Sequence, residues 1–401
     1  MTPVSRWTVD SATVDFDLSD DQLALRTAAG ALLDQPRWVE RLRSRVGTGT
    51  LVGPRAGVAA SGYDEVLWSA MAEQGWTAVE RPESEGGLGL GMVEVAVLCQ
   101  EIGRRVAPVP FLPSLLALGA LSGAADECGG DDPRLTAWGT ALSAGDAVGC
   151  VAWSARPGAV EVSEPARAGD RPLLSGRPDP VLYGPSASVA VVVTDDALYA
   201  VDLGATGRPA PVSAMDRTRE LGWLDLDRTP AIYLGGRPAV ARLLDRAVTG
   251  AAAEMLGAAE RVLEMTVDYA RDRIQFGRPI GSFQAVKHRL ADALVDVEGM
   301  RSAVYYAAWC TSCTDPDASL AASMAKAWCS DASRRVMASG LQVHGGIGFT
   351  WEHDTHLYLK RAQLDQVSFG DANWHRDRIA GILRRRMAAS QGDVVGHLDP
   401  R

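Results

Sequence analysis

The chain has 401 residues, of which 47% are hydrophobic and 22% charged, and its formal net charge is −10. That length exceeds one ordinary core and predicts two or three domains. The acidic balance argues against a nucleic-acid partner, which needs a basic face, and no run approaches the ~20 apolar residues of a membrane helix.

The first residues, Met1-Thr-Pro-Val-Ser-Arg-Trp-Thr8, lack the apolar stretch of a secretory signal, so a cytoplasmic location is expected. Ser19-Asp-Asp-Gln22 is a capping box ahead of Leu23, Leu25 and Leu32-Leu33. A second helix is predicted from Tyr63 to Gln74, ended by Gly75. The glycine-rich Pro82-Glu-Ser-Glu-Gly-Gly-Leu-Gly-Leu-Gly91 leads into a helix at Val93–Arg104. It is not a phosphate loop, because no Gly-Lys-Ser/Thr follows. These elements define an N-terminal helical domain over residues 1–140.

Over residues 141–236 the pattern becomes that of a small β domain. Short apolar runs at Val148–Trp153, Val189–Val193 and Ala197–Leu203 are punctuated by Gly, Pro, Asp and Ser. Arg171–Pro185 reads as loop without a strong strand.

Helices return over residues 237–401. Ala251, Met255, Ala258, Val262, Met265 and Tyr269 form one apolar stripe, and Val286, Leu290, Leu294, Val297 and Val304 a second. Asp315-Pro316 reads as a helix start, with Leu320, Met324 and Val336 facing inward and Gly340 as the C′ residue. A four-helix bundle follows. The six cysteines do not form a disulfide framework. Cys310-Thr-Ser-Cys313 has no second Cys/His pair nearby in sequence to make a zinc site, and no metal is expected.

Two segments carry a family resemblance. Tyr269-Ala-Arg-Asp-Arg-Ile-Gln-Phe-Gly-Arg-Pro-Ile-Gly-Ser-Phe-Gln284 and Gln342-Val-His-Gly-Gly-Ile-Gly-Phe-Thr-Trp-Glu-His-Asp354 resemble the C-terminal domain of the acyl-CoA dehydrogenases. The Pro82 loop resembles a segment of their N-terminal domain. The resemblance implies a mainly α fold with a central β-barrel-like domain between an N-terminal helical domain and a C-terminal four-helix bundle. It implies α,β-dehydrogenation of an acyl-CoA thioester with FAD, and a dimeric or tetrameric assembly served by an electron-transfer flavoprotein.

In that family FAD lies across a subunit boundary. The resemblance assigns its pyrophosphate and adenosine end to Arg273, Gln275, Phe276, Gln284, Gln342, Gly345 and Gly346. A fixed cation suits two phosphates, and glycines let backbone N–H groups approach. For the flavin ring the β domain offers Ser154 as hydroxyl and Trp153 or Tyr183 as cover, in place of the family's Thr-Glu-Pro loop.

The chemistry needs a carboxylate beside the substrate α carbon. Counted back from Arg376, the family glutamate falls on Phe369, with Gly370 beside the substrate. The alternative family position, on the first bundle helix, falls on about Ala247. Neither residue takes a proton. Asp371, Asp245 and Glu254 are the nearby carboxylates, with Asp371 as the substitute base.

Three readings follow. The chain is the base-lacking subunit of a heteromeric acyl-CoA dehydrogenase of the actinobacterial type, paired with a second subunit of the family. Or it is a self-sufficient homo-oligomer with a relocated base. Or it is a non-redox scaffold that binds acyl thioesters.

Overall fold

The computed structural model describes residues 17–47, 62–128, 132–163 and 171–395. The opening residues considered above for a leader lie outside that set. No helix among the described residues is long and apolar enough to cross a membrane.

Among the described residues, six helices build the N-terminal part: α1 (Asp20–Leu33), α2 (Pro36–Val46), α3 (Glu65–Glu73), α4 (Met92–Arg104), α5 (Phe111–Cys128) and α6 (Pro133–Ala144). The capping box forms as expected, with Gln22 N–H donating to Ser19 Oγ at 3.2 Å and Ser19 N–H to Gln22 Oε1 at 3.0 Å. Gly75, in the left-handed region at φ 78°, follows α3. Helix α5 buries Leu112, Leu115, Leu116, Leu118 and Leu121 around its circumference, so it lies inside the molecule rather than on it.

The central region has strands β1 (Gly149–Ala152), β2 (Val160–Ser163), β3 (Leu173–Gly176), β4 (Val181–Leu182), β5 (Val189–Val193) and β6 (Leu198–Asp202). The short helix α7 (Leu203–Thr206) precedes β7 (Leu221–Gly222), β8 (Leu226–Pro230) and β9 (Ile232–Gly235). One sheet has the order β1-β5-β6-β9, a second β2-β3-β8, and β4 pairs with β7. Period-two alternation explains the unbroken apolar run of β5. Val189, Val191 and Val193 face the main core with α5, while Ala190 and Val192 face a second core shared with Leu174 and Val181. The segment Arg171–Pro185 was expected to be loop and instead carries β3 and β4. In β3 only Leu174 is buried, so its strand signal is set by pairing with β2 and β8 rather than by local pattern.

Helices α8 (Arg237–Asp272), α9 (Gln284–Ser312), α10 (Ala318–His344), α11 (Thr355–Val367) and α12 (Ala372–Val395) complete the chain. Between α8 and α9 lies a hairpin of β10 (Ile274–Gln275) and β11 (Arg278–Pro279). The α8 stripe buries Ala251, Met255, Ala258 and Val262. Leu294 of the second stripe is half exposed, and so is Met324, which was expected inside. Helix α10 starts at Ala318 because the Asp315 carboxylate accepts from Asp317 N–H (2.7 Å), turning the chain before the helix begins. It also runs past Gly340 to His344. Gly340 is an interhelical contact instead: a Cβ there would lie 2.6 Å from Val262 Cγ1. Gly257 and Gly103 bring α8 and α4 equally close, since a Cβ at Gly257 would lie 1.8 Å from Gln100 O and one at Gly103 2.0 Å from Glu254 O.

Candidate functional site

Of the residues expected around the flavin ring and base, Trp153 and Phe369 meet, whereas Tyr183 is buried in the core of the β region and presents no surface to a ring. Trp153, just beyond β1, packs against Phe369 (6.3 Å between ring centroids) and edge-on against Trp374 (5.4 Å). They adjoin Leu244 and Val248 of α8 and Ala322 of α10. Trp153 and Phe369 also wall a chamber of about 300 Å³ with Pro113, Val151, Leu182 and Val367. Ser154 stands beside it, its Oγ accepting from Arg156 N–H at 3.1 Å.

The turn joining α11 to α12 is held from below. Phe369 (φ 57°) and Gly370 (φ 97°) are both left-handed, a conformation costly for a phenylalanine. Lys326, with no exposed surface, donates to Gly370 O (2.8 Å), Gln366 O (3.0 Å) and Ser330 Oγ (3.1 Å). Burial pulls its ammonium down to about 8, against the opposing pull of Asp365. His375 Nε2 lies 3.0 Å from Phe369 O, so this nitrogen carries the proton. Burial, reinforced by Lys326, lowers His375 to about 3, and the ring stays neutral. Gly370 is also sterically required, because a Cβ would lie 2.8 Å from Trp374 Cε3.

Beneath Phe369 lies a buried ionic network. Arg219 pairs with both Glu254 of α8 and Asp365 of α11. Arg361 pairs with Asp216 at 3.0 Å, comes within 3.7 Å of Glu254, and donates to Thr218 Oγ1 and to Val106 O at 3.2 Å. The void left among Tyr183, Arg219, Glu254, Asp365, Ser368 and Phe369 is about 20 Å³.

The candidate substitute bases all have other partners. Asp371 is exposed and accepts from Trp374 N–H at 2.8 Å, so it caps α12. Asp245 accepts from Ser319 Oγ (2.5 Å) and Arg378 Nη2 (2.6 Å), tying α8 to α10 and α12. Glu254 is held by Arg219, and burial raises its carboxyl above the usual range. Ala247, at the alternative position, is fully buried.

The other set of expected residues gathers at the far end of the bundle. Tyr269 stacks on His344 (4.6 Å), which places the hairpin holding Arg273, Gln275 and Phe276 beside the turn from Gln342 to Gly346. Phe276 is 91% exposed at φ 53°, followed by Gly277 at φ 76°, a tight hairpin turn that presents the ring to solvent. Gln284 opens α9 and is exposed. Gly345 has φ 64°, which demands glycine, whereas a Cβ at Gly346 would meet nothing within 4 Å. A bare surface at Gly346, an exposed aromatic at Phe276 that touches Phe283 edge-on, and an arginine fit a phosphate-bearing molecule laid across them. From Val248 to Tyr269 along α8 is roughly 30 Å at 1.5 Å per residue, so one chain keeps these two groups of residues far apart.

Sequence reasoning did not find Lys326, His375, Arg219 or Arg361. Lys326 had a signal, a lysine on the same helical face as Ala322, Ser330 and Ser333, all buried. Arg219 and Arg361 had none, because their partners lie 35 or more positions away.

Helical layer, small β unit and long-helix bundle, closing on an apolar chamber, are the architecture that the resemblance to the acyl-CoA dehydrogenases implied. The family model for the acyl-CoA dehydrogenase C-terminal domain matches residues 235–383, and that for the N-terminal domain matches residues 53–128. Acyl-CoA dehydrogenase IpdE2 of Mycobacterium tuberculosis is 38% identical over 332 residues, covering 80% of this chain and 91% of that protein. Acyl-CoA dehydrogenase FadE27 of the same organism is 34% identical over 337 residues, covering 80% and 88%. Among solved structures, the ChsE4-ChsE5 complex from Mycobacterium tuberculosis matches with a TM-score of 0.79 and 30% identity, over 92% of this chain and 99% of that one. The chain belongs to the acyl-CoA dehydrogenase family, whose members are oxidoreductases of lipid metabolism.

Proposed function

We propose that this chain is the supporting subunit of a heteromeric acyl-CoA dehydrogenase, inactive alone, and that its bundle end completes the FAD site of a base-bearing partner. The observation that carries this reading is the residue at the base position. Phe369 has no proton acceptor, and Lys326 and His375 hold its turn in place, so the turn is built to present this ring. The nearby carboxylates are committed to a helix cap or to arginines, which speaks against a relocated base. That one similar solved structure is a complex of two differently named chains supports a two-chain assembly.

In this reading Arg273 meets the pyrophosphate, and the Gln342–Gly346 turn lies against the adenosine end. When bound, FAD supplies the acceptor for the hydride lost from the substrate β carbon. This chain's Arg273 supplies a permanent positive charge, and Trp153, Phe369 and Trp374 fill the place of a working base with apolar surface. The test is an anaerobic titration of the isolated protein, reconstituted with FAD, by octanoyl-CoA. Unchanged flavin absorbance is expected. Bleaching that is lost in Asp371→Asn would establish the self-sufficient enzyme instead.

A further inference from the structure

The five-charge network beneath Phe369 does more than join helices. Its members come from three parts of the chain: Asp216 and Arg219 from the segment before β7, Glu254 from α8, and Arg361 and Asp365 from α11. Arg219, Glu254 and Asp365 are all nearly inaccessible, with side-chain exposures of 7%, 6% and 2%. Buried charges are an expensive way to fill space, because desolvation offsets much of their attraction. Apolar side chains would serve as well if filling were all the position required.

The location is informative. The outer chamber and the inner void share Pro113, Leu182, Ser368 and Phe369, so these four residues separate them. Behind that partition the free space is about 20 Å³, room for one water-sized group and for no acyl chain. Arg219, Glu254 and Asp365 occupy the rest.

We propose that the Arg219–Glu254–Asp365 triad, backed by Arg361 and Asp216, is a plug that closes this chain's own acyl compartment. The inference rests on the reading of the chain as a supporting subunit and adds to it. The missing base and the closed compartment are two separate losses, so replacing Phe369 alone does not reopen the site. The plug also gives the charges a reason: a lipid chain can displace apolar side chains, but it cannot displace ions without leaving them unpaired.

The test compares octanoyl-CoA with CoA as calorimetric probes of the full-length protein. The wild type is expected to show no gain from the octanoyl group. Phe369→Gly relieves the left-handed φ, which offsets part of the packing lost with the ring, and it too is expected to show none. The triple variant R219A/E254A/D365A, which empties the compartment, is expected to bind octanoyl-CoA at least tenfold more tightly than CoA. A tenfold octanoyl preference in the wild type or in Phe369→Gly would overturn the plug, as would a folded triple variant without that preference. If the triple variant does not fold, Phe369→Gly alone decides. Failure of the supporting-subunit reading would show differently, as flavin bleaching by the acyl-CoA.

Discussion

Lys326 holds a charge where charge is costly, and the turn carrying Phe369 depends on it. Its three hydrogen bonds go to Gly370 O, Gln366 O and Ser330 Oγ, all within the core. Lys326→Met removes the donor and leaves two carbonyls unpaired. A loss of about 2–3 kcal/mol is expected in urea denaturation; a loss under ~0.5 kcal/mol would mean the turn holds itself. His375 makes stability depend on pH. Above about 6.5 its ring is neutral both folded and unfolded. Below that, the unfolded ring takes up a proton that the folded ring refuses until about pH 3. Unfolding free energy therefore falls as the pH is lowered through that window, by up to ~1.4 kcal/mol per unit from this group. Denaturation curves for His375→Gln at pH 7 and pH 5 should show a smaller drop than the wild type, and an equal drop would remove His375 from the account.

At the level of elements, the glycines separate contacts inside the chain from contacts outside it. Gly257 lets α8 meet α4 at a distance no Cβ tolerates. Gly257→Ala is expected to cost about 1–3 kcal/mol or more by overpacking, measured by thermal or urea unfolding. Gly346 is the opposite case, because nothing in the chain lies near its missing Cβ. Gly346→Leu should leave the stability of the isolated chain within ~0.5 kcal/mol and weaken flavin retention in the assembled enzyme. Equal flavin retention would separate this turn from the cofactor. The helices that were legible in sequence are those with a repeated apolar stripe or a polar cap, such as α8 and the Ser19 box of α1. The ones misjudged fail for local reasons. Met324 sits on an outward face of α10, and Gly340 looked like a helix end because sequence does not show that another helix crosses there. Strand β3 is visible only through its neighbours.

For the whole molecule, the order of helical, β and helical parts was readable from composition and period, and the grouping of Arg273, Phe276 and the Gln342 turn at one end from motif and spacing. Phe369 at the base position was readable too. The reason the site is closed was not, because Arg219 and Arg361 reach partners that only the fold brings near. With the two groups of residues roughly 30 Å apart on one chain, the proposed function has the bundle end serving a neighbour and the Phe369 end retired. The flavin content of the purified protein tests this most directly, measured as FAD per chain for the protein alone and after co-purification with a family member that retains the glutamate. A supporting subunit is expected to be nearly colourless alone and to give one FAD for each pair of chains in the complex, reduced by weakened binding in Arg273→Ala. One FAD per chain in the protein alone, bleached by an acyl-CoA, would contradict the supporting-subunit reading.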